Sequence, residues 1–196
     1  MSEHSNRVAS DTPHSPETDG SSAGATVIDG HGLITALVDA SIIQEDEALA
    51  DHRLTDEFSE NWWSRIEQFR DTDRARDRLA TVAGIESTEL RIKRANDGRF
   101  VAVHEGVELS EWPSKAAFIA DLALQPTIEE SFPLWSRIDP ISRGELLVRI
   151  RAFLESCPVC EHPLELTEQV TAETEGSEVT LACTECGQTL VTARTE

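Results

Sequence analysis

The chain has 196 residues, of which 37 are acidic and 17 basic, giving a net charge of −20. This length accommodates one moderate domain plus a small second unit, and no apolar run reaches the ~20 residues of a membrane helix. Because residues 1–22 lack the apolar segment of a secretion signal, we expect a soluble cytoplasmic protein without membrane attachment, in which thiols stay reduced.

Residues 1–26 are mostly Ser, Thr, Asp, Pro and Gly, with almost no large apolar side chain. Such a composition cannot bury enough apolar surface to offset the entropy of ordering the chain. We therefore predict a disordered acidic tail over 1–26, a folded body over 27–156 and a small cysteine-containing unit over 157–196.

The first half of the body predicts helices. Residues 32–43 carry apolar side chains at helical spacing, which favours an amphipathic helix, with His31 in the loop before it. The polar residues that follow predict a turn with a strand. Thr55 is a good N-cap for the next helix, and Gly84 is a suitable residue to end a further one. The helix after Thr55 should bury one face: Phe58, Trp62, Ile66 and Phe69.

The second half combines a hairpin with two more helices. Asn96, Asp97 and Gly98 separate two β-prone runs and so predict a tight turn. Residues 112–124 predict a helix that starts near Pro113. The last helix should begin with Asp139 as N-cap and bury an apolar stripe: Leu146, Leu147, Ile150, Phe153 and Leu154. The fold class is thus α+β, a mainly helical body with a β-hairpin, loosely similar to winged-helix modules.

Two Cys-x-x-Cys pairs lie in the last 40 residues: Cys157 with Cys160, and Cys183 with Cys186. Between the pairs, apolar and polar residues alternate with the period of a strand. Residues 175–178 supply a turn, residues 179–182 a returning strand, and residues 188–193 a third strand. Gly187 follows the second pair, where a tight knuckle benefits from a residue without Cβ. The pattern predicts a small β-unit that brings four sulfurs together.

The segments CPVC and CTECG, on opposite sides of this alternating stretch, resemble those of a zinc ribbon. The resemblance implies one structural Zn²⁺ held by Cys157, Cys160, Cys183 and Cys186, and no specific activity. With 15 Arg to two Lys, one Met and no Tyr, the chain also resembles uncharacterised haloarchaeal proteins that end in a ribbon. In concentrated salt, acidic self-repulsion is screened over a few ångströms.

Three other interpretations of the cysteines stay open. A thioredoxin-like redox site would follow a strand and open a helix, whereas Cys157 follows a predicted helix. An iron site uses similar knuckles, usually among aromatic residues, but none occurs after Phe153. Four unligated core cysteines are the third. His162 is near Cys160, yet four cysteines already complete a tetrahedral set, so we do not count it as a ligand.

A local excess of basic residues stands out in the hairpin over 89–103, with Arg91, Lys93, Arg94 and Arg99. A basic hairpin can contact phosphates, so nucleic-acid binding is one hypothesis and a solvated hairpin with ion pairs is the other. No catalytic or nucleotide-binding motif is present. We therefore expect a non-enzymatic adaptor with a protein partner, with a nucleic-acid-associated regulator or an enzyme with an unrecognised site as alternatives.

Overall fold

The computed structural model describes residues 30–46, 51–170 and 177–195. These residues form an α+β fold, as predicted, with five α-helices and three small antiparallel sheets. The helices are α1 (Gly30–Asp39), α2 (Asp56–Phe69), α3 (Thr72–Ala83), α4 (Lys115–Ser131) and α5 (Pro140–Arg151). The strands are β1 (Ile43–Asp46), β2 (Asp51–Leu54), β3 (Leu90–Arg94), β4 (Phe100–His104), β5 (Val107–Trp112), β6 (Leu164–Val170), β7 (Ser177–Cys183) and β8 (Thr189–Thr195).

Some predictions concern residues outside the described ranges or features that the structure does not test. The predicted tail over 1–26 lies outside the described residues, as does the first half of the predicted turn at 175–178; Ser177 and Glu178 belong to β7. The winged-helix likeness and the domain boundaries at 26 and 156 stay predictions.

The first helix is shorter at its C-terminal end than its pattern predicts. Ser41 adopts a left-handed backbone with φ of 55°, which ends the helical path. Ile42 is then fully buried, and Ile43 opens β1, which pairs with β2. The prediction that His31 lies in a loop was also wrong, because α1 includes it. Burial of two consecutive isoleucines outweighs continuation of the helix.

The α2 and α3 helices follow their local signals. Thr55 caps α2, because its hydroxyl oxygen accepts the amide hydrogen of Phe58. Phe58, Trp62 and Ile66 are buried as predicted, and the Trp62 indole donates to the carbonyl oxygen of Ala120 at 3.0 Å. The buried face and the Trp62 hydrogen bond dock α2 on α4. Gly84 ends α3 with φ of 69°.

The predicted hairpin forms, but a third strand joins it. Residues 95–99 make the turn between β3 and β4, with Gly98 at φ of 90°. Glu105 and Gly106 both have positive φ, the geometry of a two-residue hairpin turn, and lead into β5. The prediction that a helix starts near residue 112 missed this strand, because β5 is exposed along most of its length and lacks a buried alternation.

The α4 helix is the centre of the body, since ten of its 17 residues are buried. It begins after the N-cap Ser114, next to Pro113 as predicted, and it continues past Pro126 to Ser131. A proline inside a helix removes a backbone hydrogen bond and disfavours the helix by ~3 kcal/mol. Burial of Thr127, Ile128 and the following Phe132 on the same core outweighs that cost.

The α5 helix packs on α4 and leads toward the cysteines. Asp139 caps it by accepting the amide hydrogens of Ile141 and Ser142 at 3.0 and 3.1 Å, as predicted. Near its end, Arg151 forms a buried ion pair with Asp121 of α4. Burial raises the pKa of the Asp121 carboxyl, and the neighbouring Arg151 opposes that rise. The other carboxylate oxygen, Asp121 Oδ1, and the Arg151 Nε have no hydrogen-bond partner among the described residues.

Candidate metal centre

The four cysteines converge on one point. Their sulfur atoms all lie within 4.8 Å of one another. Cys160 Sγ is 3.4 Å from the sulfurs of both Cys183 and Cys186, and Cys157 Sγ is 3.7 Å from that of Cys186. A disulfide would need ~2.05 Å, whereas four sulfurs ~2.3 Å from a central Zn²⁺ lie roughly 3.8 Å apart. The spacing therefore fits a tetrahedral metal site.

The two cysteine pairs belong to knuckles with the same backbone hydrogen bonds. In the first knuckle, the amide of Cys157 donates to the oxygen of His162 at 2.9 Å, and Glu161 donates back to Cys157 at 2.9 Å. In the second, Cys183 donates to Gln188 at 3.0 Å and Gly187 donates back to Cys183 at 3.1 Å. This repetition shows that each short segment is shaped to aim two sulfurs inward.

Each knuckle also needs one left-handed residue in the corresponding position. Gly187 has φ of 64°, as its placement after the second pair suggested, and Glu161 has φ of 63° in the first knuckle. A residue with Cβ is less stable in this conformation. The Glu161 carboxylate, however, forms an ion pair with Arg70 at 2.5 Å. This residue therefore also joins the first knuckle to the end of α2.

The environments of the thiols differ. Burial raises the pKa of the Cys157 thiol to about 12, and burial also raises the pKa of Cys186. The backbone amide of His162 stabilises the Cys160 thiolate and lowers the pKa of Cys160 to about 6. A divalent metal binds thiolates, so its binding must displace protons, above all from Cys157 and Cys186.

His162 lies beside the sulfur group and outside it. The side chain is exposed, and its Nδ1 is 3.0 Å from the backbone oxygen of Cys160. Within the described part of the chain, the group of side chains that could hold a metal consists of the four cysteines alone.

The ribbon, defined here as residues 157–195 as far as they are described, is docked on the body. Ala116 in the first turn of α4 is fully buried against a small ribbon core of Cys157, Leu181, Cys183 and Leu190. The Ser114 hydroxyl donates to the oxygen of Thr189 at 2.6 Å, and the amide of Ala116 donates to Gln188 Oε1 at 3.3 Å. The second knuckle and β8 are thereby fixed to the start of α4.

A different helix holds the first knuckle. Arg70, the C-cap residue of α2, donates from Nε to the oxygen of Pro158 at 2.8 Å and pairs with Glu161. Its guanidinium also stacks 5.7 Å from the ring centre of Trp63. A metal bound between the knuckles would therefore also join the end of α2 to the start of α4.

Sequence reasoning missed the docking residues, among them Ser114, Gln188 and Arg70. Serine is a residue type favoured at N-caps, but nothing in the sequence around Ser114 shows that its hydroxyl also bonds a strand 75 residues away. Contacts between distant segments have no local signal.

The basic hairpin does not present its four cations on one surface. Arg91 and Lys93 alternate on β3 and are exposed on its outer face, as predicted. Their register partners are Val103 and Val101, and Val101 is next to Glu111 of β5. The outer face is therefore mixed in charge.

The other two cations are engaged elsewhere. Arg99 forms ion pairs with Asp97 in the turn and with Glu111 of β5. Arg94 lies opposite Phe100, on the sheet face that packs toward the body. Its side chain lines a cavity beside Cys186.

A larger cavity, of about 370 Å³, lies between β2, α2 and the segment that leads into Cys157. Its walls include Trp63 and Phe153, with Arg53 and Asp56 paired at 2.8 Å. No helix among the described residues has the length and apolar character needed to cross a membrane.

Comparison with known proteins identifies the family to which the body belongs. A model of the central domain of a family of unknown function (DUF8054) matches residues 32–152, more than half of the chain. The chain belongs to this family. No curated protein and no solved structure matches it. The DUF8054 central domain spans α1 to the end of α5, so the four cysteines follow it in the chain.

Proposed function

We propose that this DUF8054 protein is a non-enzymatic zinc protein whose ribbon acts as an adaptor for a protein partner. The convergence of four cysteine sulfurs at tetrahedral spacing carries the proposal. Four thiolates fill the coordination sphere and leave no position for a reacting water, as in structural zinc sites. With Zn²⁺ the centre has a formal charge of −2, which makes it a poor Lewis acid.

Metal analysis tests the zinc part of the proposal. Protein purified without added metal should contain one zinc per chain, and Cys183→Ser should contain none. His162→Ala is the matched control, because His162 lies next to a knuckle outside the sulfur group; this variant should keep its zinc. One iron per chain, or four free thiols without metal, would contradict the proposal.

The adaptor role is supported by the asymmetry of the ribbon. Both β6 and β8 are edge strands of the ribbon sheet, but β8 contacts α4 and α5, whereas residues 165–169 of β6 are all exposed. Leu166 is 70% exposed, an apolar side chain without a cover among the described residues. Eight glutamates and one arginine in residues 157–196 make phosphate an unfavourable ligand, so we assign the partner to proteins.

A pull-down from a lysate of the source organism tests the adaptor role. The Leu166→Asp protein, which keeps the metal ligands, should lose a partner that the wild type retains. Ile141→Asp is the control, because Ile141 is 77% exposed on α5 of the body. Equal recovery by wild type and both variants would show that β6 is not the docking surface.

A second candidate is a nucleic-acid-associated regulator, favoured by the exposed pair Arg91 and Lys93. Neither has a carboxylate oxygen within 4.0 Å among the described residues. If this candidate is right, mixed-sequence DNA should bind, and Arg91→Ala with Lys93→Ala should weaken binding across all sequences. Absence of binding by the wild type would eliminate it.

We also propose a cytoplasmic, haloarchaeal setting, supported by the charge of −20 and the scarcity of lysine. Dense negative charge destabilises a compact state unless salt screens it. The free energy of unfolding, measured with urea because guanidinium is itself a salt, should rise steeply with KCl concentration. A protein equally stable at low and high KCl would argue against this setting.

A further inference from the structure

A second cavity, of about 200 Å³, lies where the β3–β4 hairpin, the start of α4 and both knuckles meet. Arg94 and Phe100 line it from the hairpin, Lys115 from α4, and Val159 and Cys186 from the ribbon. Two cationic side chains of the body therefore line the same cavity as one of the four cysteines.

The charge of this cavity departs from that of the whole protein. Acidic residues outnumber basic residues more than twofold in the chain, yet the described lining contains two cations and no carboxylate. Neither Arg94 nor Lys115 has a carboxylate oxygen within 4.0 Å among the described residues. Lys115 Nζ has only a 3.4 Å contact with the Thr72 hydroxyl.

The contacts around Lys115 hold it against the second knuckle. The residue before it, Ser114, bonds to Thr189, and the residue after it, Ala116, bonds to Gln188. Arg94 approaches from the other side, with its guanidinium beside Gly98. Both cations are thus positioned by backbone that is itself fixed.

We propose that Arg94 and Lys115 supply the countercharge of the metal–thiolate centre and thereby raise its affinity for the metal. A divalent ion with four thiolates has a formal charge of −2, and Cys186 lines the same cavity as the two cations. Positive charges near a centre of net negative charge lower its electrostatic energy. A free anion in the cavity would face the same thiolate wall, so charge favours the centre itself as the partner.

This inference rests on the proposed metal site, and the experiment separates the two. Zinc affinity of the full chain is measured by competition with a chromophoric chelator, and metal stoichiometry is measured on the same samples. The double variant Arg94→Gln, Lys115→Gln should still bind one zinc, with an affinity lowered about three- to tenfold, as expected for partly exposed charge pairs. Absence of zinc from the wild type would refute the metal site instead.

The matched control is Arg91→Gln with Lys93→Gln. It changes the net charge by the same amount, and both residues lie on the same strand as Arg94 but on the outer face of β3. Its zinc affinity should stay close to that of the wild type. Equal losses in both double variants would assign the effect to overall charge and overturn the inference, as would no loss in either.

Three further measurements distinguish charge from geometry. The visible absorption of Co²⁺ bound to the four thiolates should be unchanged in Arg94→Gln, Lys115→Gln, because the ligands stay in place. Arg94→Lys, with the charge retained, should bind zinc like the wild type. The affinity difference should also shrink between ~0.1 and ~1 M KCl, where the screening length falls from ~10 to ~3 Å. A perturbed cobalt spectrum, loss of affinity in Arg94→Lys or a salt-independent difference would overturn the inference.

Discussion

The body and the ribbon are held together in different ways. In the body, α4 is buried on nearly all sides, and Trp62, Phe118 and Phe132 are each at most 1% exposed. The buried apolar residues of the described ribbon are few: Cys157, Pro158, Leu181, Cys183 and Leu190. Two of these five are proposed metal ligands, so the ribbon has little apolar core of its own.

This difference shows how a small unit can fold beside a larger one. Burial of apolar surface stabilises a protein by ~25 cal/mol per Å², which suffices for the body but not for a short ribbon. Metal binding can contribute folding energy in place of a core, and Ala116 extends the small core from the body side. The ribbon thus depends on both its ligands and its neighbour.

The largest expected effect comes from breaking the metal site. Cys183→Ser should unfold the ribbon while leaving the body folded, because metal binding contributes on the order of 10 kcal/mol to such units. In hydrogen-exchange mass spectrometry, amides of β7 and β8 should lose protection and those of α2 should keep it. His162→Ala should show wild-type protection throughout, and a protected ribbon in Cys183→Ser would mean that the two regions do not differ as proposed.

The next largest effect concerns the buried ion pair between Asp121 and Arg151 in the body. Arg151→Met should lower the free energy of unfolding by ~3–5 kcal/mol, because it leaves Asp121 buried without its partner. Urea unfolding measures this loss. The double variant Asp121→Leu, Arg151→Met should lose much less, since no unpaired charge remains buried.

The pH dependence of Arg151→Met has a definite sign. Burial holds the pKa of Asp121 above its usual value, so in acid the folded carboxyl is protonated and needs no cation. The loss caused by Arg151→Met should therefore be largest near neutral pH and should shrink as the pH falls through the raised pKa of Asp121. A loss independent of pH would show that packing, rather than charge, dominates at this position.

A smaller effect compares two N-cap residues with matching hydrogen bonds. The Thr55 hydroxyl accepts from the amide of Phe58 and donates to the oxygen of Ser41, all within the body. The Ser114 hydroxyl accepts from Ala117 and donates to Thr189 in the ribbon. Each alanine variant should lower the free energy of unfolding by ~1–2 kcal/mol, mainly through the lost cap.

The two caps should respond differently to loss of the ribbon. In a Cys183→Ser background, the cost of Ser114→Ala should fall, because its bond to Thr189 is already broken, whereas the cost of Thr55→Ala should stay the same. A double-mutant cycle measures this coupling. Zero coupling for Ser114 would indicate that the bond to Thr189 does not stabilise the docked ribbon.

The smallest effect is on the helix that leads into the ribbon. The Ser142 hydroxyl and the backbone amides of Ser142 and Ile141 hold the pKa of Asp139 below its usual range. Its contribution to stability is therefore present above the unfolded-state pKa of ~3.9 and is lost as the pH falls through the lowered folded pKa. The urea midpoints of wild type and Asp139→Asn should converge in acid; a constant difference would contradict this linkage.

Local signals in the sequence were reliable where a short segment sets its own geometry. The caps at Thr55 and Asp139 and the left-handed Gly84 lie where the pattern predicted them. The turn over 96–98 also forms where it was predicted. Its conformation depends only on side chains and backbone close by in the sequence. The continuation of α4 past Pro126 was not predictable in this way, because the burial that offsets the proline comes from other elements.

The candidate site shows the same division. Two Cys-x-x-Cys pairs separated by an alternating strand were enough to predict that four sulfurs meet, because hairpin pairing brings both ends of such a segment together. Strand register in β6 and β7 then places Leu164 opposite Cys183. Alternation along β3 was enough to separate Arg94 from Arg91 and Lys93, because adjacent residues of a strand point to opposite faces. Spacing could not show that the face of Arg94 is the one that packs toward the body.

The sequence by itself determined the α+β class, the helix caps, the two knuckles and the excess of negative charge. Each of these depends on residues close together in the chain or on composition alone. Only the tertiary structure decided that Arg70 holds the first knuckle, that Ser114 and Ala116 hold the second, and that Arg94 and Lys115 line one cavity with Cys186. The physical reason is that these contacts join residues far apart in sequence, whose meeting depends on how the whole core packs.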